Sequence, residues 1–234
     1  MRLRLLQLAF PAMILGGLVL PATAYSQSPI GVFASYELKK DDLSAFPQWQ
    51  RVLKAIKRER VLYQRCKKDI ALCPDPALGK WQAFIQHLKE NNMNEHEMLE
   101  HVQGFSRRWP YREDMTVYQQ SDYWASPQEF VRSGGDCEDF AILNYVTLID
   151  LGISADRLRI VVVRDSIRQI DHAVLAVYPR TANGEIRILD SLMNGVLKEQ
   201  AFSHYTPVYS VSAKSRWIHI PQKDLYENNN LSYK

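Results

Sequence analysis

The stretch that most restricts this chain is residues 137–151, closed by Gly152. Its apolar residues fall on every side of a helix rather than along one stripe, the pattern of a helix buried at the centre of a domain. Gly152 supplies the stop, because glycine enters the left-handed conformation after a helix without a Cβ penalty. Upstream, Ser126 and Pro127 read as the N-cap and first residue of a short helix through Phe130, ended by Gly134-Gly135. A chain with such a helix at its centre must wrap further layers around it.

The flanks supply those layers. Residues 25–35 are small and turn-rich and read as a flexible lead-in. Residues 46–63 form an amphipathic pattern, with Phe46, Trp49, Leu53, Ile56 and Val61 opposite a basic face that includes the run 54–60. Helical spacing continues over 81–92 and 95–108, until Trp109-Pro110 breaks it. Beyond Gly152 the chain changes character: 158–163, 173–178, 186–189, 207–211 and 216–220 are runs rich in β-branched residues that predict an antiparallel sheet. Helices first and strands second define an α+β fold, its helical N-terminal half and central buried helix packed on the sheet. The predicted division is a targeting segment at 1–24, a helical lobe at 25–109 and a core carrying the sheet at 110–234.

The targeting segment has its own logic. Arg2 and Arg4 precede residues 5–20, apolar except for Gln7, and then come Pro21 and Ala22-Thr23-Ala24. This reads as a secretory signal peptide cleaved after Ala24, its apolar run of about 16 residues being shorter than a bilayer span. The expected compartment is a bacterial periplasm. The formal charge of +3 then becomes nearly neutral, since loss of two arginines from 29 basic residues leaves 27 against 26 acidic ones. A near-neutral chain offers no electrostatic case for nucleic acid as the main partner.

An oxidising compartment makes the 3 cysteines informative. Cys66 and Cys73 flank a short polar stretch and are expected to form a disulfide; a shared metal site is the alternative, but no second Cys/His pair stands at suitable spacing. Cys137 is left unpaired at a predicted helix N-terminus, where unpaired N–H groups and the helix dipole favour a thiolate. The preceding glycines are expected to let the backbone approach a substrate carbonyl. A buried structural cysteine is the plainer alternative.

A thiolate nucleophile needs a base. Among the 6 histidines, His172 opens a predicted strand downstream of the helix, and Asp190 ends the next strand. A hairpin loop centred on residue 181 puts Asp190 opposite His172, where it would orient the imidazole. Asn183-Gly184 as a two-residue turn would instead put Gly195 there. Asp171 is an alternative acid, although adjacent strand residues point to opposite faces.

The order Cys137, His172, Asp190 resembles the transglutaminase-like cysteine proteases, and most closely the bacterial LapG family of periplasmic adhesin proteases. The resemblance is carried by Asp122-Tyr123-Trp124, Pro127, Glu129-Phe130, Gly134 to Ala141, Leu151-Gly152-Ile153, His172 to Leu175 and Leu189-Asp190, with the Cys66 and Cys73 pair in addition. Asn144 departs from it, standing where a basic residue is expected. The resemblance implies a papain/transglutaminase-like fold and a Cys137–His172–Asp190 triad. It also implies an oxyanion site at the Cys137 N–H, with Trp124 a further candidate.

Asp136, Glu138 and Asp139 surround the nucleophile with carboxylates, and like charges this close oppose a thiolate. Acids in a first helical turn are also ordinary helix stabilisers. A hard cation would cancel the penalty, and calcium takes six to eight oxygen ligands. The resemblance implies calcium at Asp136 and Glu138, with Asp139 and Asp122 as helpers. It further implies a large repeat-containing surface adhesin as substrate, biofilm dispersal as the outcome of its release, and an inner-membrane cyclic diguanylate receptor as inhibitor. Acyl transfer to an amine, as in a transglutaminase, and a non-catalytic binding module are the competing readings. His96 and His101, spaced five apart, diverge by about 140° around a helix and do not form a zinc site.

Overall fold

A computed structural model describes residues 31–222. The signal-peptide reading of residues 1–24 lies outside them.

Six α-helices occupy the first part of the described chain. The first, α1 (Pro47–Lys68), starts on proline and ends with Arg65, Lys67 and Lys68, cations that suit the negative end of the helix dipole. Helix α2 (Pro76–Glu90) is capped by the Asp75 carboxylate, which accepts the Ala77 N–H at 2.8 Å. Asn94 and Glu97 form a capping box on α3 (Glu95–Ser106), as Ser126 and Glu129 do on α5 (Pro127–Ser133). Between them lies the single turn α4 (Asp114–Val117). The central helix, α6 (Cys137–Asp150), is buried from Glu138 to Leu148, and Gly152 follows with φ of 98°. Cys66 and Cys73 are joined by a disulfide, tying the end of α1 to the lead-in to α2.

The sheet has seven antiparallel strands in the order β1-β7-β6-β2-β3-β4-β5. They are β1 (Ser35–Lys40), β2 (Leu158–Asp165), β3 (Ile170–Val177), β4 (Arg187–Leu189), β5 (Leu197–Lys198), β6 (Tyr205–Val211) and β7 (Arg216–Pro221). Strand β1 was not expected: it leaves the lead-in at Ser35 and pairs with β7 along its whole length, so the first part of the chain also supplies an edge of the sheet. Helix α6 lies on β2 and β3. Leu158, Ile160, Leu175, Val177 and Leu189 join the helices in one continuous core with Trp49, Trp81, Phe130 and Ile142. Alternate residues Val161, Val163, Val174, Ala176 and Ile188 form a second cluster on the other face, with Val32, Phe202 and Tyr205.

The hairpin register falls between the two expected ones. Leu175 pairs with Leu189 and Val177 with Arg187. Continued past the end of β4, this register sets Asp190 against Val174, so His172 is its diagonal neighbour on the same face rather than its direct partner. The connection between β3 and β4 turns through Pro179 and a Thr181–Gly184 hydrogen bond, so Asn183-Gly184 does not act as a two-residue turn.

Candidate active site

Cys137 is the first residue of α6 and the free cysteine among the described residues, partly exposed. As the first helical residue its N–H has no intrahelical acceptor. The glycines before it are required by packing. A Cβ on Gly134, whose φ is +76°, would meet the Pro110 carbonyl oxygen at 2.4 Å, and one on Gly135 would meet Asp139 Oδ2 at 2.0 Å. Any side chain at either position would push the start of α6 out of place.

Strand β3 meets β4 only from Leu175 onward, and before that point its edge faces α6. There the Ala173 N–H favours the Cys137 thiolate. Burial, Glu138 and Asp136 work against it, and together they push the thiol well above its ordinary value. Glu138 Oε2 lies 3.2 Å from the sulfur, close enough to accept the thiol hydrogen.

His172, immediately before Ala173, is buried, and its Nε2 meets Asp190 Oδ1 at 2.8 Å. Burial alone would push the Asp190 carboxyl up. His172, the Leu192 N–H and the Tyr205 hydroxyl overcome that and hold it below the usual carboxylate range. The Leu192 N–H donates to Oδ1 at 2.9 Å and Tyr205 Oη donates to Oδ2 at 2.7 Å. Gln103, fully buried on α3, donates to the Asp190 carbonyl and fixes the backbone below the carboxylate. Asp171 is excluded as an orienting acid, because it pairs with Arg164 at 3.1 Å on an exposed face.

The carboxylates collect on the other side of the nucleophile. Ligand atoms of Asp114, Asp122 and Glu138 lie within 4.8 Å of one another, as do those of Asp114, Asp136 and Asp139. Asp114, the buried first residue of α4, was absent from the sequence reading, and nothing around it in sequence marks it. Its carboxyl is pushed up to about 6 by burial, which outweighs the Tyr123 N–H that it accepts. Burial pushes Asp136 and Glu138 up as well, with Glu138 adding to the rise at Asp136 and Asp114 to that at Glu138. Asp114 Oδ1 and Asp136 Oδ1 are buried without a donor. Buried carboxylate oxygens without donors, in a group whose ligand atoms lie within 4.8 Å of one another, are what a multi-oxygen cation site requires, and the residues fit calcium.

The remaining members are more committed. Asp139 accepts the Ala125 N–H at 2.6 Å and the Asp136 N–H at 3.3 Å, holding the loop before α5 against α6. Asp122 accepts the Gln48 amide at 2.9 Å and the Trp124 indole N–H at 3.0 Å. The Trp124 indole is thus engaged with Asp122 instead of being free for an oxyanion. His96 and His101 join no cluster of potential metal ligands among the described residues.

A thiol at the tip of a buried helix, beside a strand that carries an acid-oriented histidine, defines a cysteine hydrolase on a transglutaminase-like α+β fold. The profile of bacterial transglutaminase-like cysteine proteinases matches residues 63–225, and the chain belongs to that family. Among solved structures it resembles calcium-bound Legionella pneumophila LapG, with 38% identity over 61% of this chain and 78% of that one and a TM-score of 0.55. EGTA-treated LapG from the same organism gives 33% identity, 70% and 91% coverage, and a TM-score of 0.58. A third LapG structure gives 33% identity, 72% and 93% coverage, and a TM-score of 0.58. A search of curated proteins gives no match. No helix among the described residues is long and apolar enough to cross a membrane.

Proposed function

We propose that this proteinase is an exported, calcium-dependent endopeptidase of the LapG type. Its catalytic residues are Cys137, His172 and Asp190. The observation that carries this reading is the 2.8 Å contact between the buried His172 Nε2 and Asp190 Oδ1, with His172 on the strand against which the Cys137 helix packs. Asp190 occupies Nε2 of His172, which leaves Nδ1 to exchange a proton with the thiol. Cys137 attacks the peptide carbonyl, and its own N–H stabilises the oxyanion. The C–N bond then breaks as the His172 imidazolium donates its proton to the leaving amine. Water, deprotonated by the same imidazole, hydrolyses the thioester and restores the thiol.

Asp136 and Glu138, joined by Asp114 and supported by Asp122 and Asp139, would hold the calcium ion. Calcium-bound and EGTA-treated forms of the similar LapG support this choice of cation. When bound, the ion supplies the positive charge that lets these carboxylates and the adjacent thiolate coexist.

The proposed substrate is the N-terminal region of a large repeat-containing surface adhesin. Its cleavage in the periplasm would free the adhesin and disperse a biofilm, under the control of an inner-membrane cyclic diguanylate receptor that inhibits the protease. The test is cleavage of purified adhesin N-terminal region with calcium and with excess EGTA, alongside Cys137→Ala. Cleavage should need both calcium and the thiol, with the circular dichroism spectrum unchanged by EGTA. Full activity in EGTA would overturn the calcium assignment, and cleavage by the alanine variant would overturn the nucleophile. Incorporation of dansylcadaverine in excess of cleavage would identify an acyl transferase instead.

A further inference from the structure

A cavity of about 800 Å³ lies outside the triad and the carboxylate cluster, between α2, α3 and the end of α5. Its floor is aromatic: Phe84 and Phe105 stack with ring centres 3.9 Å apart, and Trp109 meets Phe105 edge-on at 4.9 Å. Its rim is cationic. Lys80, Arg108 and Arg112 all line it, and none of them forms an ion pair among the described residues. Arg108 instead lies over the Phe105 ring, 5.5 Å from its centre. Three unpaired cations above an apolar floor are complementary to an acidic ligand that also carries an aromatic or large apolar group.

The cavity ends close in the chain to the nucleophile. It ends at Gly134, and the Arg112 N–H donates to the Gly135 carbonyl at 2.8 Å, while Tyr111 and Gly135 form a β-bridge. Three residues of chain, at most about 10 Å, separate Gly134 from Cys137. A polypeptide whose carbonyl lies on Cys137 needs only a few residues to span that distance. We infer that this groove binds an acidic segment of the substrate, bearing an aromatic or large apolar side chain, a few residues from the bond that is cut. Lys80, Arg108 and Arg112 receive the carboxylates, and the apolar side chain rests on Phe84 and Trp109. The inference rests on the protease reading for the identity of the occupant, but not for the existence of the groove.

Two measurements test it on the full mature chain with calcium. In the first, fluorescence anisotropy follows a labelled Asp-Glu-Trp-Glu-Asp peptide and its Lys-Lys-Trp-Lys-Lys counterpart on Cys137→Ala. The acidic peptide should bind at least about tenfold tighter, and more weakly as salt rises. K80E/R108E should reverse that preference, a result that mere damage to the fold would not produce. R108Q, a milder change, should weaken the acidic peptide alone. Equal binding of both peptides, or acidic binding untouched by these substitutions, would overturn the groove.

In the second, mass spectrometry reads the cuts that the active protein makes in a proteome-derived peptide library. Acidic residues should be enriched a few residues from the cut bonds and lose that enrichment in K80E/R108E. Acidic-peptide binding without such enrichment would assign the groove to a separate acidic protein and overturn the substrate assignment. No cleavage by the wild-type chain would count against the protease reading itself, and the binding data would then decide the groove alone.

Discussion

Asp190 is almost fully buried yet ionised, because His172, Leu192 and Tyr205 supply donors that outweigh desolvation. A carboxyl held below its ordinary value stabilises the fold above the usual carboxylate range, and that contribution is lost as pH falls through the depressed value. Asp190→Asn keeps the shape but can present an amide N–H to His172 and favour the wrong tautomer. We expect kcat for peptide-bond cleavage to fall about 10²- to 10⁴-fold with KM little changed. A kcat within a factor of three of wild type would remove Asp190 from the triad. Asp114→Asn removes an anionic oxygen from the cation cluster while leaving α4 in place. Calcium affinity, measured by chelator competition, should drop at least about tenfold; unchanged affinity would exclude Asp114 as a ligand. The sequence made Cys137, His172 and Asp190 legible because each has a reactive side chain at a predicted helix start, strand start or strand end. Asp114 and Tyr205 stayed hidden because only tertiary folding brings them to Asp136 and Asp190.

Helix α6 was legible almost to its last residue, since an all-round apolar pattern and a terminal glycine admit few alternatives. Ile142, with no exposed surface, packs among the helices and the sheet. Ile142→Ala should cost about 2–5 kcal/mol in urea unfolding followed by tryptophan fluorescence; a loss well under 1 kcal/mol would mean that the helix is less tightly enclosed than described. Strand β1 was not legible, because Tyr36, Glu37, Lys39 and Lys40 make an edge with one exposed face and little apolar alternation. Its pairing depends on β7, nearly two hundred residues away in sequence. The β3–β4 register escaped prediction for a related reason. The loop between them is longer than a tight turn, so local turn chemistry did not set the alignment and core packing did.

His219 ties that edge to the rest of the sheet, with Nδ1 2.8 Å from Ser35 Oγ and Nε2 2.9 Å from Ser210 Oγ. Burial, against the opposing pull of Glu37, lowers its pKa from 6.5 to about 4. The unfolded chain therefore binds the extra proton between those values, and stability rises with pH across that window. Acidification from pH 6.5 to 4 should cost up to about 3 kcal/mol through this residue. Comparing wild type with His219→Gln in urea at several pH values isolates the contribution from that of the carboxylates near Cys137, whose raised pKa values act with the opposite sign. Parallel curves for the two proteins would exclude His219 as the source.

The placement of Cys137 at the tip of α6 has a mechanical consequence. The helix that aims the thiol is also the member around which both the α-helical layer and the sheet are packed, so the nucleophile moves only if the core moves. Among the described residues, displacing the thiol therefore means disturbing the packing of Phe140, Ile142, Leu143, Val146 and Leu148.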